Sequence, residues 1–249
     1  MESKKYVIAG LKVLMRCTEE HMIKQGAAYL CDFEGEPDIR IELDPENIKK
    51  VNEKYPDLTY DEMEYILTGS RFYFQFIRFG GFMLHSSCVV EDGKAYMFSA
   101  NPGTGKSTHT SLWLKYLGED NAFILNDDKP AIRLEDGVFY AYGTPWSGKT
   151  DKNVNGRYPV GAVSFIERSE KCFITDMESK EAFKNIYWQT VKPRIEANLD
   201  MLLDTCDKFM NSVPIYRFGC DISEKAVKTS YDKMTGKKYI MKSGSGLYV

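Results

Sequence analysis

Hydrophobic and polar residues follow two different periods along the chain, and their order predicts a mixed α/β protein. Runs typical of strands cover residues 6–15, 27–33, 38–43, 82–90, 94–99, 122–125, 131–134, 138–142, 160–167 and 214–218. Apolar residues at helical spacing predict helices over residues 44–55, 59–79, 108–117, 179–190, 193–212 and 223–234. The segment 143–158 is rich in Gly, Pro and polar residues, so it predicts a long loop.

Local signals place several ends of these elements. Asp44-Pro45 is typical of a helix start, because proline fits the first helical turn. Thr59 and Glu62 have the spacing of a capping box and predict the start of the next helix. Asp92-Gly93 lies between two apolar runs and predicts a hairpin turn. The apolar and aromatic stripe of the second helix is predicted to pack in the core.

Composition and charge exclude several classes of protein. The chain has 249 residues, with 33 basic and 36 acidic side chains and a formal net charge of −3, so bulk electrostatics favours neither a nucleic acid nor an anionic membrane as partner. No run approaches the ~20 apolar residues that cross a bilayer, and the N-terminus lacks the pattern of a signal peptide. Six cysteines without CxxC spacing predict a reduced, cytoplasmic protein without a zinc site.

A glycine-rich segment between a predicted strand and a predicted helix is the strongest chemical signal. Glycines allow backbone N–H groups to turn toward a phosphate, the helix start adds a positive dipole end, a lysine reaches the outer phosphates, and a hydroxyl ligates Mg²⁺. The usual GxxxxGK[ST] pattern begins with Gly, whereas this chain has Ala100. The predicted nucleotide-binding residues are Asn101, Pro102, Gly103, Thr104, Gly105, Lys106, Ser107 and Thr108.

A pair of aspartates offers the metal ligand and the proton acceptor that a phosphate loop alone lacks. Asp127 and Asp128 end an apolar run, so both carboxylates are expected at a strand end, where α/β sheets bind ligands. One carboxylate can hold Mg²⁺ and the other can accept the proton of an attacking hydroxyl. The predicted metal ligands are therefore Ser107 and one of the two carboxylates. The alternative is a turn with two solvated aspartates.

Two further positions carry weaker signals. His85 lies on the strand before the hairpin, and a lone strand histidine is usually structural; His109 is expected on a helix face. In the loop 143–158, Lys149 could neutralise charge that develops on a transferred phosphoryl group. Arg157 and Arg168 are further candidate phosphate contacts. The alternative for this segment is a structural Ω-loop held by Trp146.

Three segments together resemble the catalytic domain of HPr kinase/phosphorylase. They are Leu84-His85, Pro102 to Ser107 and Asn126-Asp127-Asp128, and the resemblance covers residues 80–170. It implies a mixed-sheet P-loop domain of the phosphoenolpyruvate carboxykinase-like fold. It also implies that His85 and Asp128 are an acid/base pair beside bound ATP and Mg²⁺, and that the protein is a homo-oligomer. It further implies that Ser107, Asp127 and Asp128 all lie near the metal. The glycine-rich signature that follows the acidic motif in the bifunctional enzyme is missing.

These observations predict three parts and one activity. Residues 1–58 are expected to form a small α+β appendage, residues 59–242 a P-loop kinase-like domain and residues 243–249 a flexible tail. The expected activity is ATP-dependent transfer of a phosphoryl group to a hydroxyl, the serine of a protein or peptide, with Lys106 and Lys149 assisting His85 and Asp128. The alternatives are a small-molecule kinase, a nucleotide-binding sensor or scaffold without transfer chemistry, and a carboxykinase-like lyase.

Overall fold

A computed structural model of the protein describes residues 2–240. Within that range the strands are β1 (Lys4–Ile8), β2 (Leu11–Met15), β3 (Ile39–Ile41), β4 (Gly81–Met83), β5 (Ser86–Glu91), β6 (Lys94–Ser99), β7 (Ala122–Asn126), β8 (Ala131–Glu135), β9 (Val138–Tyr142), β10 (Arg157–Arg168), β11 (Phe173–Asp176) and β12 (Ile215–Cys220). The helices are α1 (Glu20–Gly26), α2 (Pro45–Lys54), α3 (Tyr60–Phe76), α4 (Lys106–Leu117), α5 (Ser179–Trp188), α6 (Glu196–Ser212) and α7 (Glu224–Thr235). The mixed α/β class predicted from the sequence is confirmed.

The N-terminal strands form a small sheet of their own. Strand β1 pairs antiparallel with β2, and β2 pairs parallel with β3. The tight turn between β1 and β2 places Ala9 and Gly10 at positive φ. Helix α3 covers this sheet, and its Phe72 and Phe76 share one hydrophobic cluster with Tyr6, Ile8 and the loop residue Trp146. The predicted domain boundary at residue 58 stays a prediction.

The larger sheet has the strand order β4-β8-β9-β10-β6-β5-β7, with β12 beside β10 and β11 beside β12. Strands β6 and β12 both run parallel to β10. Strand β5 is antiparallel to both β6 and β7, so β6 and β7 also run in the same direction. The carboxyl ends of β6, β7, β10 and β12 therefore meet at one edge of the sheet, together with the start of β5.

Alternation along β5 and β6 gives this sheet two buried faces. Cys88, Val90 and Met97 belong to a cluster that includes α5 and α6, whereas Val89 and Phe98 belong to one that includes α4 and α7. Successive strand residues point to opposite faces, which explains the division. The central strands are covered on both sides, so ligands can reach them only at the ends.

Several predicted elements are wrong or misplaced. Residues 27–33 are not a strand: a short 3₁₀ helix covers 27–29, and Leu30 makes only an isolated bridge to Tyr6. Helix α1 and strand β11 were not predicted, because α1 has few apolar positions and β11 is short and half-exposed. The predicted strand 82–90 breaks between β4 and β5.

The single strand predicted over residues 6–15 is wrong, because the turn at Ala9 and Gly10 divides it into the antiparallel strands β1 and β2. The remaining predicted helices and strands are present within a few residues of their predicted bounds, including the capping box of α3. The last predicted long helix starts at Glu196 rather than at residue 193. The predicted tail, 243–249, lies outside the described residues. Within residues 2–240, none of the helices has the length and apolar character that crossing a membrane requires.

Candidate functional site

The glycine-rich segment forms a turn between β6 and α4. Gly103 and Gly105 have φ angles of 76° and 127°, values that residues other than glycine rarely adopt. A Cβ atom added at either position would meet open space, so the backbone here faces a void rather than a packed neighbour. Gly105 also offers no side-chain cap to α4, so no capping side chain competes for the N–H groups of the first helical turn. The turn therefore has the backbone of an anion site.

Lys106 starts α4 and is held against the turn. Its side chain is buried, and Nζ donates to the carbonyl oxygen of Ala100 at 3.1 Å. Burial lowers the pKa of Lys106, while the nearby charges of Asp128 and Asp127 act in the opposite direction. No carboxylate lies within salt-bridge distance of Nζ in the described part of the chain. An anion at the turn would supply the charge partner that this ammonium lacks.

A cavity of about 550 Å³ adjoins the turn at the ends of β10 and β12. Leu112, Ile166 and Ile222 give it apolar walls, whereas Glu170 and Asp221 add carboxylates. Arg168 lies at its side and donates from Nη2 to the carbonyl oxygen of Gly103 at 2.6 Å. A phosphate chain on the turn could thus continue into a partly apolar space of the size that a nucleoside needs.

Asp127 lies at the end of β7, buried among hydroxyl groups. Ser87 donates to its Oδ1, and Thr150 donates to its Oδ2 at 2.8 Å. Ser87 also bonds Thr110 on α4 at 2.7 Å, which links the carboxylate to the helix of the phosphate loop. No lysine, arginine or histidine pairs with Asp127 among residues 2–240. A buried carboxylate that has no cationic partner offers oxygen ligands that suit a divalent metal ion.

Asp128, the next residue, has a different environment. His85 Nε2 lies 3.0 Å from its Oδ1, and Lys129 pairs with its Oδ2. Burial raises the pKa of Asp128, but the hydrogen bond of His85 and the charge of Lys129 outweigh burial and hold that pKa well below its usual range. Asp128 is therefore an ionised acceptor at neutral pH.

The sheet register explains why His85 and Asp128 meet. Ser86 pairs with Ser99 at the end of β6, and Cys88 pairs with Asn126 at the end of β7. His85 precedes β5 and Asp128 follows β7, so both emerge at the edge that carries the phosphate loop. The carbonyl oxygen of Gln189 accepts the N–H of His85 at 2.8 Å, and its Oε1 lies 3.1 Å from His85 Nδ1.

Tyr65 completes the surroundings of Asp128 and was missed from the sequence. Its hydroxyl lies 3.1 Å from Asp128 Oδ2, 3.1 Å from Lys129 Nζ and 2.9 Å from the backbone N of Gly148. Burial and the charge of Asp128 raise the pKa of Tyr65 well above its usual value, so it stays protonated and donates to the carboxylate. No local signal on α3 distinguishes Tyr65 from the residues that pack in the core.

The loop 143–156 is tightly held and carries Lys149. Trp146 is fully buried and donates from Nε1 to Thr68 at 3.1 Å, as the Ω-loop alternative expected. Gln25 of α1 donates to the carbonyl oxygen of Gly148 at 3.2 Å and to Asp151 at 2.6 Å. Helix α1 thus holds the loop 143–156, which contacts both aspartates.

Lys149 itself is exposed and lies away from the phosphate loop. It lines a second cavity, of about 580 Å³, with Tyr65 and Asp128, and this cavity shares no lining residue with the first. Its role stays a prediction. Arg157, a further candidate phosphate contact, pairs with Glu135 of β8.

The donor set fits Mg²⁺ with nucleotide but not a metal held by protein alone. Among residues 2–240, no group of three or more His, Cys, Asp and Glu side chains is placed to hold a metal ion. Mg²⁺ keeps several waters and is usually bound by one or two carboxylates plus substrate phosphates. Asp127 and the hydroxyl of Ser107, one residue after Lys106, supply donors of that kind.

No protein-family model and no curated protein matches the sequence. Among solved structures, the chain is similar to the HPr(Ser) kinase/phosphatase from Coxiella burnetii, with 14% sequence identity and a TM-score of 0.35. The alignment covers 62% of this chain and 99% of that chain. A likeness at this level carries no argument about function, so the function has to be inferred from the site itself.

Proposed function

We propose that the protein transfers the γ-phosphoryl group of ATP to a hydroxyl, the serine of a protein or peptide. The observation that supports this most is the 3.0 Å contact between His85 Nε2 and Asp128 Oδ1, at the same sheet edge as a glycine turn with a buried lysine that has no carboxylate partner in the described part of the chain. A nucleotide-binding module needs only the turn. A transferase also needs, beside the turn, an ionised carboxylate that can accept the proton of the attacking hydroxyl, and Asp128 is such a group.

In the proposed complex, the turn Asn101 to Thr108 holds the phosphates through backbone N–H groups. Lys106 leaves the carbonyl oxygen of Ala100 and neutralises the outer phosphates, while Ser107 and Asp127 would hold Mg²⁺. When bound, Mg²⁺ supplies further neutralisation of the charge that builds up on the phosphate oxygens.

Asp128 orients the acceptor hydroxyl and accepts its proton, and His85 positions Oδ1 for that transfer through the 3.0 Å contact of its Nε2. A carboxylate with a low pKa is a weak base. Phosphoryl transfer tolerates a weak base, because the transition state is loose and depends mainly on position and charge. Tyr65 and Lys129 hold the second carboxylate oxygen, so Oδ1 is the atom that faces the reaction.

The test is transfer of label from γ-labelled ATP with Mg²⁺ to a mixture of serine-containing peptides. We expect transfer by the native chain and its loss in Lys106→Ala and Asp128→Asn. Lys94→Ala and Asp136→Asn are matched controls, because both side chains are exposed and lie away from the sheet edge. Transfer that survives in both site variants would refute the proposal; ATP binding without any transfer would identify the protein as a sensor or scaffold instead.

A further inference from the structure

Helix α5 exposes aromatic rings immediately before the segment that contacts His85. Trp188 is 64% exposed and Phe183 is 37% exposed, whereas Ala182 and Ile186 on the same helix are buried. The rings of Phe183 and Tyr187 are stacked, with centroids 6.0 Å apart. Large aromatic side chains grouped on a surface are typical of interaction sites rather than of solvated helices.

Basic side chains lie on α5 and in the segment that follows it. Lys180, Lys184, Lys192 and Arg194 make no salt bridge within the described part of the chain, although other surface lysines do. Lys192 Nζ lies 5.4 Å from the ring centroid of Tyr187 and 5.2 Å from that of Trp188. Residues 179–195 carry four basic side chains and one acidic side chain, Glu181, so this surface has a positive net charge in a chain whose formal net charge is −3. We name it the α5 face, defined by Phe183, Lys184, Tyr187, Trp188, Lys192 and Arg194.

One residue connects the α5 face to the site. Gln189 follows Trp188, accepts the N–H of His85 with its carbonyl oxygen, and donates from Nε2 to Asn101 of the phosphate loop at 3.3 Å. A chain bound along the α5 face therefore ends beside His85 and the outer end of the phosphate turn. The face is placed where the acceptor of the proposed reaction has to arrive.

We propose that the α5 face docks an acidic segment of a protein or peptide and presents its serine hydroxyl to Asp128, an inference that rests on the proposed function. Carboxylates of the segment pair with Lys184, Lys192 and Arg194, and apolar side chains pack on Trp188. Aromatic and arginine side chains are the residue types that carry most of the energy in such interfaces. The unpaired cations provide specificity, because a basic segment would be repelled.

The test compares two fluorescein-labelled serine peptides that differ only in their flanks, one with aspartates and one with lysines, by fluorescence anisotropy at low salt. We expect the acidic peptide to bind the native chain at least tenfold more tightly, and to lose that advantage in 0.5 M salt. In Lys184→Glu/Arg194→Glu the preference should vanish or reverse, and Trp188→Ala should weaken binding at least fivefold. Lys49→Glu/Lys50→Glu, on α2, is the matched charge control. Equal binding of both peptides, no binding of either, or equal losses in the α5 and α2 variants would overturn the proposal.

Transfer from labelled ATP separates this proposal from the proposed function. Binding of the acidic peptide without any transfer would leave docking intact and refute the kinase. Equal transfer to both peptides, unchanged in the α5 variants, would leave the kinase intact and refute docking. ATP binding should be the same in the native chain and in every α5 variant, because the face does not contact the nucleotide cavity.

Discussion

The phosphate turn and the aspartate pair lie at one sheet edge, but they are built in different ways. The turn is contiguous: residues 100–108 carry its glycines, lysine and hydroxyl, and local backbone conformation shapes it. The aspartate pair is assembled from distant segments, since Asp128 contacts His85 and Tyr65 and Asp127 contacts Ser87 and Thr150. The two regions also differ in charge: Lys106 has no carboxylate partner in the described part of the chain, whereas Asp128 pairs with Lys129 and accepts a hydrogen bond from Tyr65. In the proposed complex, the first region receives the phosphates, and the second, whose carboxylate is already held by the protein, acts on the acceptor.

Asp128→Asn has the largest expected effect and tests whether the catalytic rate can fall while ATP binding is retained. Asp128→Asn removes the proton acceptor while leaving the turn intact, so kcat should fall about 10²–10⁴-fold. The Kd of ATP should change little. Steady-state kinetics together with calorimetric titration of a nonhydrolysable ATP analogue measures both. A loss of ATP affinity as large as the loss of kcat would show that the two regions do not act separately.

Lys106→Met tests the other region. Its ammonium is the charge that the proposed phosphates meet, so we expect kcat to fall about 10²–10³-fold and the Kd of ATP to rise as well. The same kinetics and titration apply. Retained affinity and rate would place the phosphates somewhere other than the turn. Lys115→Met, in the last turn of α4, is the control on the same helix.

Asp127→Asn sharpens the contrast between the neighbouring aspartates. Because Asp127 has only hydroxyl partners, its loss should raise the Mg²⁺ concentration for half-maximal rate about tenfold or more, whereas Asp128→Asn should not. Titration of activity with Mg²⁺ at saturating ATP distinguishes the two. An identical Mg²⁺ dependence in both variants would contradict the assignment of the metal to Asp127.

Acid should affect the two regions differently. His109, on the helix of the phosphate loop, bonds Ser230 at 2.9 Å, and burial lowers its pKa to about 3. As pH falls, the histidine of the unfolded chain is therefore protonated before the buried His109 of the folded chain. The contribution of His109 to the free energy of unfolding is complete above the ordinary histidine pKa of about 6.5 and is lost as pH falls toward 3. At pH 5 this amounts to about 2 kcal/mol. Asp128, whose pKa is lowered, stabilises the fold above the ordinary aspartate pKa and loses this effect only in stronger acid.

Urea unfolding of the native chain and of His109→Gln between pH 5 and 7.5 measures the histidine contribution. The native chain should lose stability across this window, and the variant should lose about 2 kcal/mol less. An unchanged pH slope in the variant would mean that another group determines the acid response.

Tyr65→Phe is expected to have the smallest effect. It removes the hydrogen bond that Tyr65 donates to Asp128 and those that it accepts from Lys129 and Gly148, while keeping the ring. We therefore expect kcat to fall about tenfold with ATP affinity unchanged, and stability to fall about 1 kcal/mol. Because Tyr65 acts through Asp128, Tyr65→Phe should have little further effect on the residual rate of Asp128→Asn. Additive losses in the double variant would show that Tyr65 acts on its own.

The sequence predicts the turn better than it predicts the surroundings of the two aspartates. The turn could be located from residues 100–108 alone, because its chemistry depends on neighbours in the chain. Asp127 and Asp128 could be placed at a strand end, and the family resemblance pairs Asp128 with His85. The contacts of Asp127 with Ser87 and Thr150 could not be predicted, since these residues come from β5 and the loop 143–156. Tyr65 lies on an ordinary amphipathic helix, and only the packing of α3 against the loop brings its hydroxyl to Asp128. The strand predicted over 27–33 was wrong for a related reason: tertiary contacts decide the conformation of that short apolar run.

The central claim is that one bound nucleotide joins the two regions. A crystal structure with a nonhydrolysable ATP analogue and Mg²⁺ tests it most directly. The account predicts the γ-phosphate within about 3 Å of Lys106 Nζ, Mg²⁺ on Ser107 and Asp127, and Asp128 Oδ1 facing the γ-phosphate from the acceptor side. A triphosphate bound away from Lys106, or one whose γ-phosphate points away from Asp128 and His85, would contradict it.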